Sequence, residues 1–256
     1  GVCNEDSDPF ITMPKHFLIF AIALLLGYGT REISGNTDPG FDFFLLVRQW
    51  GPAFCSQTRC NSSPVAAFTI HGLWPQYETG NSPQSCNPND IFATTNLNQS
   101  LINSLACTWV SYTGSNQEFW SYEWSKHGTC SLTLLTTQAE YFGAAVNLNT
   151  KYEINEALLN AGINPRTAGG GPRQRLLDVL TSAFGEAPVL RCNQQGNVLE
   201  EIWQCFDTDL QIMPCPRSVS SSRCGSSLTL RTGERVPPVC RPYYDFTLNT
   251  AAGNSG

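Results

Sequence analysis

The chain has 256 residues, with 15 basic against 21 acidic side chains and a net charge of −6. That balance excludes a tight general binder of nucleic acid, because such affinity comes mostly from neutralising phosphates. The length suits one large domain with a real core, and no internal repeat, heptad run or composition break argues for two.

Residues 1–12 are polar and acidic and precede Met13, so they read as upstream sequence with translation starting at Met13. Residues 13–29 read as a secretory leader. Met13-Pro14-Lys15-His16 is its weakly basic start, Phe17 to Leu26 its apolar run, and Gly27-Tyr28-Gly29 its cut site. The run is too short to span a membrane; the alternative is a buried strand or helix. Removing the leader takes away Glu5, Asp6, Asp8 and Lys15, leaving 18 acids against 14 bases. It also removes Cys3 and leaves ten cysteines, an even number suited to five disulfides in an oxidising compartment. The sequons at Asn61 and Asn98 fit that route. No Cys-x-x-Cys pair occurs, so no metal site is expected.

Further along, Phe41 to Trp50 and Val65 to Ile70 are rich in aromatic and β-branched residues and predict strands, the second running into His71 and ended by Pro75. Helices are predicted over Asn96 to Leu105, Glu118 to Lys126, Gln138 to Leu148 and Glu153 to Ala161. Gly169-Gly170-Gly171 reads as a loop, followed by a helix from Pro172 that ends before Gly185. Val189 to Cys192 and Val198 to Phe206 predict a hairpin. The interspersed order, without regular βα alternation, indicates an α+β fold.

Two histidines follow the leader, each succeeded by glycine in a tryptophan-rich segment: His71-Gly72-Leu73-Trp74-Pro75 and Trp120-Ser121-Tyr122-Glu123-Trp124-Ser125-Lys126-His127-Gly128-Thr129-Cys130. Two imidazoles, one accepting a proton while the other donates one, suffice for phosphodiester cleavage without a metal. On a helix, Glu123, Lys126 and His127 cluster on one side, with Trp120 and Trp124 as the adjoining buried stripe. The bland alternatives are a solvated Glu/Lys/His face and a core histidine at position 71. Two such sites in one chain favour chemistry.

The His71-Gly72-Leu73-Trp74-Pro75 and Glu123-to-Cys130 segments resemble the two active-site segments of the T2 family of acid ribonucleases. The similarity runs from about Phe41 to Leu230, and Phe41-Asp42-Phe43-Phe44 with Gln49-Trp50 resembles the plant-type members. The resemblance implies a ribonuclease domain over 38–230 built on a central antiparallel sheet. It also implies a secreted or vacuolar location, no metal and no cofactor. Its substrate would be single-stranded RNA, with DNA excluded for want of a 2′-hydroxyl.

By the family pattern His127 is the general base, His71 the general acid, and Lys126 with Glu123 stabilise the transition state. Trp74 and Phe119 are candidates to pack beside or stack on bases, with buried packing as the alternative for Trp74. Gln49 matches a base-contacting glutamine of relatives; alternatively it is a polar residue on an exposed strand face. Tyr122 stands where many relatives have a phosphate-binding histidine, which implies weaker substrate binding or a shifted pH optimum. The implied disulfides are Cys55 with Cys60, Cys86 with Cys130, Cys192 with Cys224, Cys205 with Cys215, and Cys107 with Cys240. Many relatives pair the Cys107 position with a cysteine near Cys60 instead.

Residues 231–256, Pro-rich and then Ala/Gly/Asn/Ser-rich, read as a tethered tail. A monomer is expected, free of the membrane once the leader is cut. Two other functions compete: a storage or defence protein with little catalysis, and a self-recognition ribonuclease. The acidic charge counts against the second, whose members are usually basic.

Overall fold

The computed structural model describes residues 40–164, 169–234 and 240. The expected read-through segment and leader, and the end of the expected tail from 241, lie outside the described residues. In chain order the elements are β1 (Phe43–Trp50), α1 (Gly51–Phe54), β2 (Phe68–Gln76), α2 (Gln99–Thr108), α3 (Asn116–Lys126), α4 (Gln138–Lys151), α5 (Ile154–Asn160), β3 (Gly169–Pro172), α6 (Arg173–Phe184), β4 (Val189–Cys192), β5 (Leu199–Phe206), β6 (Ile212–Met213), α7 (Arg217–Ser220) and β7 (Ser227–Leu230). The fold is α+β around an antiparallel sheet of order β2-β1-β5-β4, with β6 also paired to β5.

Strand β1 is buried at every position because it lies inside the sheet with both faces covered, which is why it opens on the apolar run Phe43 to Val47; Arg48 and Gln49 are buried with it. Phe44 and Leu46 pack with Ile70 and Leu73 of β2 against Leu105 of α2, Trp120 and Trp124 of α3, and Tyr141 and Phe142 of α4. Trp50, Leu190 and Ile202 pack against Leu158 of α5 and Leu176 and Leu180 of α6. Alternate residues of β1, Phe43, Leu45 and Val47, form a smaller cluster with Trp74, Trp203 and Val219. This second face is covered thinly, and the candidate site lies on it.

Three features depart from the sequence expectation. Strand β2 begins at Phe68 and continues through His71 and Pro75 to Gln76, with Pro75 opposite Phe44. Proline is tolerated there because β2 is an edge strand and loses no inner ladder bond. Val65 instead forms an isolated bridge to Glu234. The Gly169–Gly171 stretch, expected as a loop, is the strand β3 paired with β7. A Cβ on Gly170 would stand 1.9 Å from the Leu228 carbonyl oxygen, so only glycine permits this approach. Finally, the start of the expected tail is strapped onto the domain. The indole N–H of Trp50 donates to the Arg231 carbonyl (2.8 Å). Glu234 exchanges backbone bonds with Pro64 and Ala66 (2.9 and 2.7 Å).

Five disulfides join Cys55 to Cys60, Cys86 to Cys130, Cys107 to Cys240, Cys192 to Cys224 and Cys205 to Cys215. Of the sequon residues, exposed Asn98 is the N-cap of α2, its Oδ1 accepting from the Leu101 N–H (2.8 Å). Exposed Asn61 donates its amide to the Thr113 carbonyl (2.6 Å).

The Cys107–Cys240 bond closes a sequence separation of 133 residues, and a loop of that size constrains the unfolded chain strongly. Replacing both cysteines by serine is expected to lower the unfolding free energy by about 2–5 kcal/mol in urea titrations. Cleavage of RNA by the folded variant at 25 °C should stay within about twofold of the parent, since the bond packs with Val65 and Ala67 rather than with the histidines.

Candidate active site

His71 and Trp74 are three residues apart, a spacing that puts side chains on opposite faces of a regular strand. Strand β2 escapes this through a bulge. Val47 of β1 stands opposite Gly72 and the next residue, Arg48, stands opposite Ile70, so His71 is the extra residue. Ile70 and Leu73 can then both enter the helix-side core while His71 and Trp74 share the other face. Gly72 completes the arrangement. A Cβ there would lie 2.0 Å from Trp74 Nε1 and 2.2 Å from Glu123 Oε2, in the middle of their hydrogen bond.

The partner segment is the end of α3. Ser115 and Glu118 form a capping box at its start, Ser115 Oγ accepting from the Glu118 N–H and the Glu118 carboxylate accepting from the Ser115 N–H. Trp120 and Trp124 root the helix in the core, and His127 is its C-cap residue, donating its N–H to the Glu123 carbonyl (2.9 Å). The Cys86–Cys130 disulfide anchors the chain just beyond.

The two segments meet at Trp74. Its ring stacks on His127 with centroids 4.9 Å apart and planes 23° apart, and meets His71 edge-on at 5.1 Å and 79°. Its indole N–H donates to Glu123 Oε2 (2.9 Å). Glu123 Oε1 lies 3.9 Å from His71 Nε2, and His71 Nδ1 lies 2.7 Å from Oε1 of Glu201, a residue of β5. Lys126 donates through Nζ to the hydroxyl of exposed Tyr122 (2.9 Å). Phe119 is half-buried with its ring 5.9 Å from that of His71. Lys126, His127, Trp74, Gln76, Arg191 and Trp203 line an adjoining cleft of about 330 Å³.

These environments drive the histidines apart. His127 is buried, with Lys126 and His71 as cationic neighbours, and its pKa falls from 6.5 to about 3. Its Nδ1 is buried without a hydrogen-bond partner, and an imidazolium, which needs acceptors for both N–H groups, is disfavoured there. His71 moves the other way. Burial pulls it down, but the hydrogen bond and charge of Glu201 and the charge of Glu123 outweigh burial and Lys126, so its pKa rises above 6.5. Burial pushes Glu123 from 4.5 to about 7, against the pull of His71, the Trp74 N–H and Lys126.

The structure thus brings His71, Trp74, Phe119, Glu123, Lys126 and His127 together. Trp74 is a wedge between imidazoles rather than an open face. Gln49 is buried between Thr69 of β2 and Glu201 of β5, not on an exposed strand face. Sequence reasoning missed Glu201, which lies 130 residues from its partner; the one local signal was a second acidic residue in an otherwise buried strand.

The sequence model of the Ribonuclease T2 family matches residues 41–215. The extracellular ribonuclease LE of Solanum lycopersicum is 33% identical over 231 residues, covering 84% of this chain and 97% of that protein. Ribonuclease MC of Momordica charantia is 39% identical over 201 residues, covering 73% and 98%. A crystal structure of RNase NT in complex with 5′-AMP superposes with a TM-score of 0.67 at 32% identity, covering 76% of this chain and 99% of that one.

The Glu123 shift has a consequence for stability. A carboxyl whose pKa is higher folded than unfolded costs nothing below about 4.5. As pH rises from there toward about 7 the unfolded state ionises first, and stability is lost. His127 acts in the opposite sense, its contribution being lost as pH falls from 6.5 toward about 3. The stability of the parent relative to Glu123→Gln is therefore expected to fall by on the order of 2 kcal/mol between pH 4.5 and 7. Paired urea titrations across that range measure it; a constant difference would contradict the assignment.

Proposed function

The chain belongs to the ribonuclease T2 family and is an endoribonuclease of the T2 type; within that class we propose that it cleaves single-stranded RNA by a two-histidine reaction without a metal. His127 takes the proton of a ribose 2′-hydroxyl as the 2′-oxygen attacks phosphorus in line. His71 protonates the departing 5′-oxygen. The product is a 2′,3′-cyclic phosphate, hydrolysed more slowly with the roles reversed.

The observation that carries this reading is the opposite bias of the two imidazoles around one indole. In mildly acidic solution His71 holds a proton to give, and His127 has an empty site to take one. Lys126, held by Tyr122, supplies positive charge to the pentacoordinate phosphorus. Glu123 keeps its proton further toward neutrality than an ordinary carboxyl, which limits its repulsion of the phosphate. Phe119 offers its ring to a base beside the acid. The cationic charge lining the cleft is local, as an acidic protein that turns RNA over requires.

The five disulfides support an oxidising destination, and we assign the protein to the secretory route, outside the cell or in the vacuole.

The test is RNA cleavage from pH 3 to 8 in excess chelator. The disulfide-bonded protein should form a cyclic phosphate. Its kcat/KM should rise through a limb near the lowered pKa of His127 and fall only above 6.5, as His71 loses its proton. His71→Ala and His127→Ala should each lower kcat/KM by about 10²- to 10⁴-fold. A chelator-sensitive reaction, or a folded protein without activity, would overturn the proposal, the latter in favour of a storage role.

A further inference from the structure

Glu201 lies on β5, on the same face as Trp203, opposite Gln49 of β1 and Arg191 of β4. Each of its carboxylate oxygens has one partner. Oε1 is 2.7 Å from His71 Nδ1, and Oε2 accepts the indole N–H of Trp203 at 2.8 Å. The Trp203 ring in turn carries the Arg191 guanidinium 4.3 Å from its centroid. The carboxylate is thus fixed at both ends, and it sits on the side of His71 away from the nitrogen that faces Glu123.

We propose that Glu201 is a positioning residue for His71, fixing the Nδ1–H tautomer so that Nε2 alone exchanges protons with the substrate in both halves of the reaction. This rests on the reading of His71 as the acid. In cleavage the 2′-oxygen gives its proton to His127 and forms its bond to phosphorus. The bond from phosphorus to the 5′-oxygen breaks, and that oxygen takes the proton from His71 Nε2. The neutral imidazole left behind still has Nδ1–H donating to Glu201 Oε1, so its bare nitrogen is Nε2. In hydrolysis that nitrogen takes a proton from water as the water oxygen bonds to phosphorus, and the departing 2′-oxygen takes its proton from His127. One carboxylate orients the ring for both steps and its charge favours the imidazolium.

The other charged groups facing His71 come from α3. Glu123, 3.9 Å from Nε2, supports the imidazolium only once it ionises, and Lys126 opposes it. Neither is hydrogen-bonded to Nδ1, so neither can set the tautomer. Glu201 is also the nearer carboxylate.

The experiment compares Glu201→Gln, Glu201→Ala, Trp203→Phe and His71→Ala on two substrates, RNA and a nucleoside 3′-(4-nitrophenyl) phosphate. The nitrophenolate of the second leaves without help from an acid. Glu201→Ala should lower kcat on RNA by about 10- to 100-fold with KM within twofold, and should lose less than about fivefold on the aryl ester. The alkaline limb of its RNA profile should move down by about one pH unit as the favourable charge is lost. Glu201→Gln keeps an acceptor for Nδ1–H and should recover part of kcat while showing the same shift of the limb. Trp203→Phe leaves the carboxylate in place but frees Oε2, and should move both readouts in the same direction by less. If Glu201→Ala fails to fold, the Gln and Phe variants carry the same comparison.

Equal losses on both substrates with an unmoved alkaline limb, or no loss on RNA, would overturn the proposal. His71→Ala separates the two levels. If it is spared on the aryl ester while the Glu201 variants are not, only the role of Glu201 falls. If it loses as much on the ester as on RNA, the reading of His71 as the acid falls with it.

Discussion

The indole of Trp74 lies between two imidazoles that the proposed mechanism needs in different charge states, and it contacts three of the site's polar groups at once. Its face takes His127, its edge takes His71, and its N–H takes Glu123. It can do so because β2 carries one residue too many at His71 and because residue 72 has no side chain. The bulge reconciles two demands of the same strand: Ile70 and Leu73 have to enter the core, and His71 and Trp74 have to leave it on the other side. A regular strand satisfies one pair or the other.

From that geometry the electrostatics follow. Behind Trp74, His127 is nearly buried at the wall of the cleft beside a lysine, and its Nδ1 has neither solvent nor an acceptor to support a proton there. In front of it, His71 keeps partial exposure and gains carboxylates on both ring nitrogens. Two side chains of the same chemistry are thereby given opposite protonation preferences, as the proposed acid and base roles need. The surrounding scaffold serves this division. The central strand β1 is buried on both faces, α3 is rooted by Trp120 and Trp124, and Cys86–Cys130 ties down the chain after the second histidine.

Much of this was legible in the sequence where the determining contacts are local. Glu123, Lys126 and His127 follow from helical spacing, whereas the helix starts at Asn116, two residues before the predicted Glu118, because the capping box of Ser115 and Glu118 sets its beginning. The α+β class and the β4–β5 hairpin needed only propensity and turn chemistry. What escaped depends on strands meeting across long sequence separations. Glu201 reaches His71 because β1 lies between β2 and β5, an order that no periodicity states. The glycine run at 169–171 looks like a loop until its partner β7 is known, and Pro75 looks like a terminator until β2 is seen to be an edge. The residues after 230 look like a tail by composition. Residues 231–234 and 240 are nonetheless held by the Trp50 side chain, the backbone at 64–66 and the Cys107–Cys240 bond, of which only the last is among the disulfides that the family resemblance implies.

The proposed mechanism needs one fold to hold His71 and His127 in opposite protonation states at the same pH. Ring proton and carbon shifts of His71 and His127, followed by NMR from pH 3 to 8 and assigned with the two single variants, test it without reference to turnover. His71 is expected to titrate above 6.5 and His127 to stay neutral down to about 3. Two curves that coincide near 6.5, or that appear in the reverse order, would contradict it.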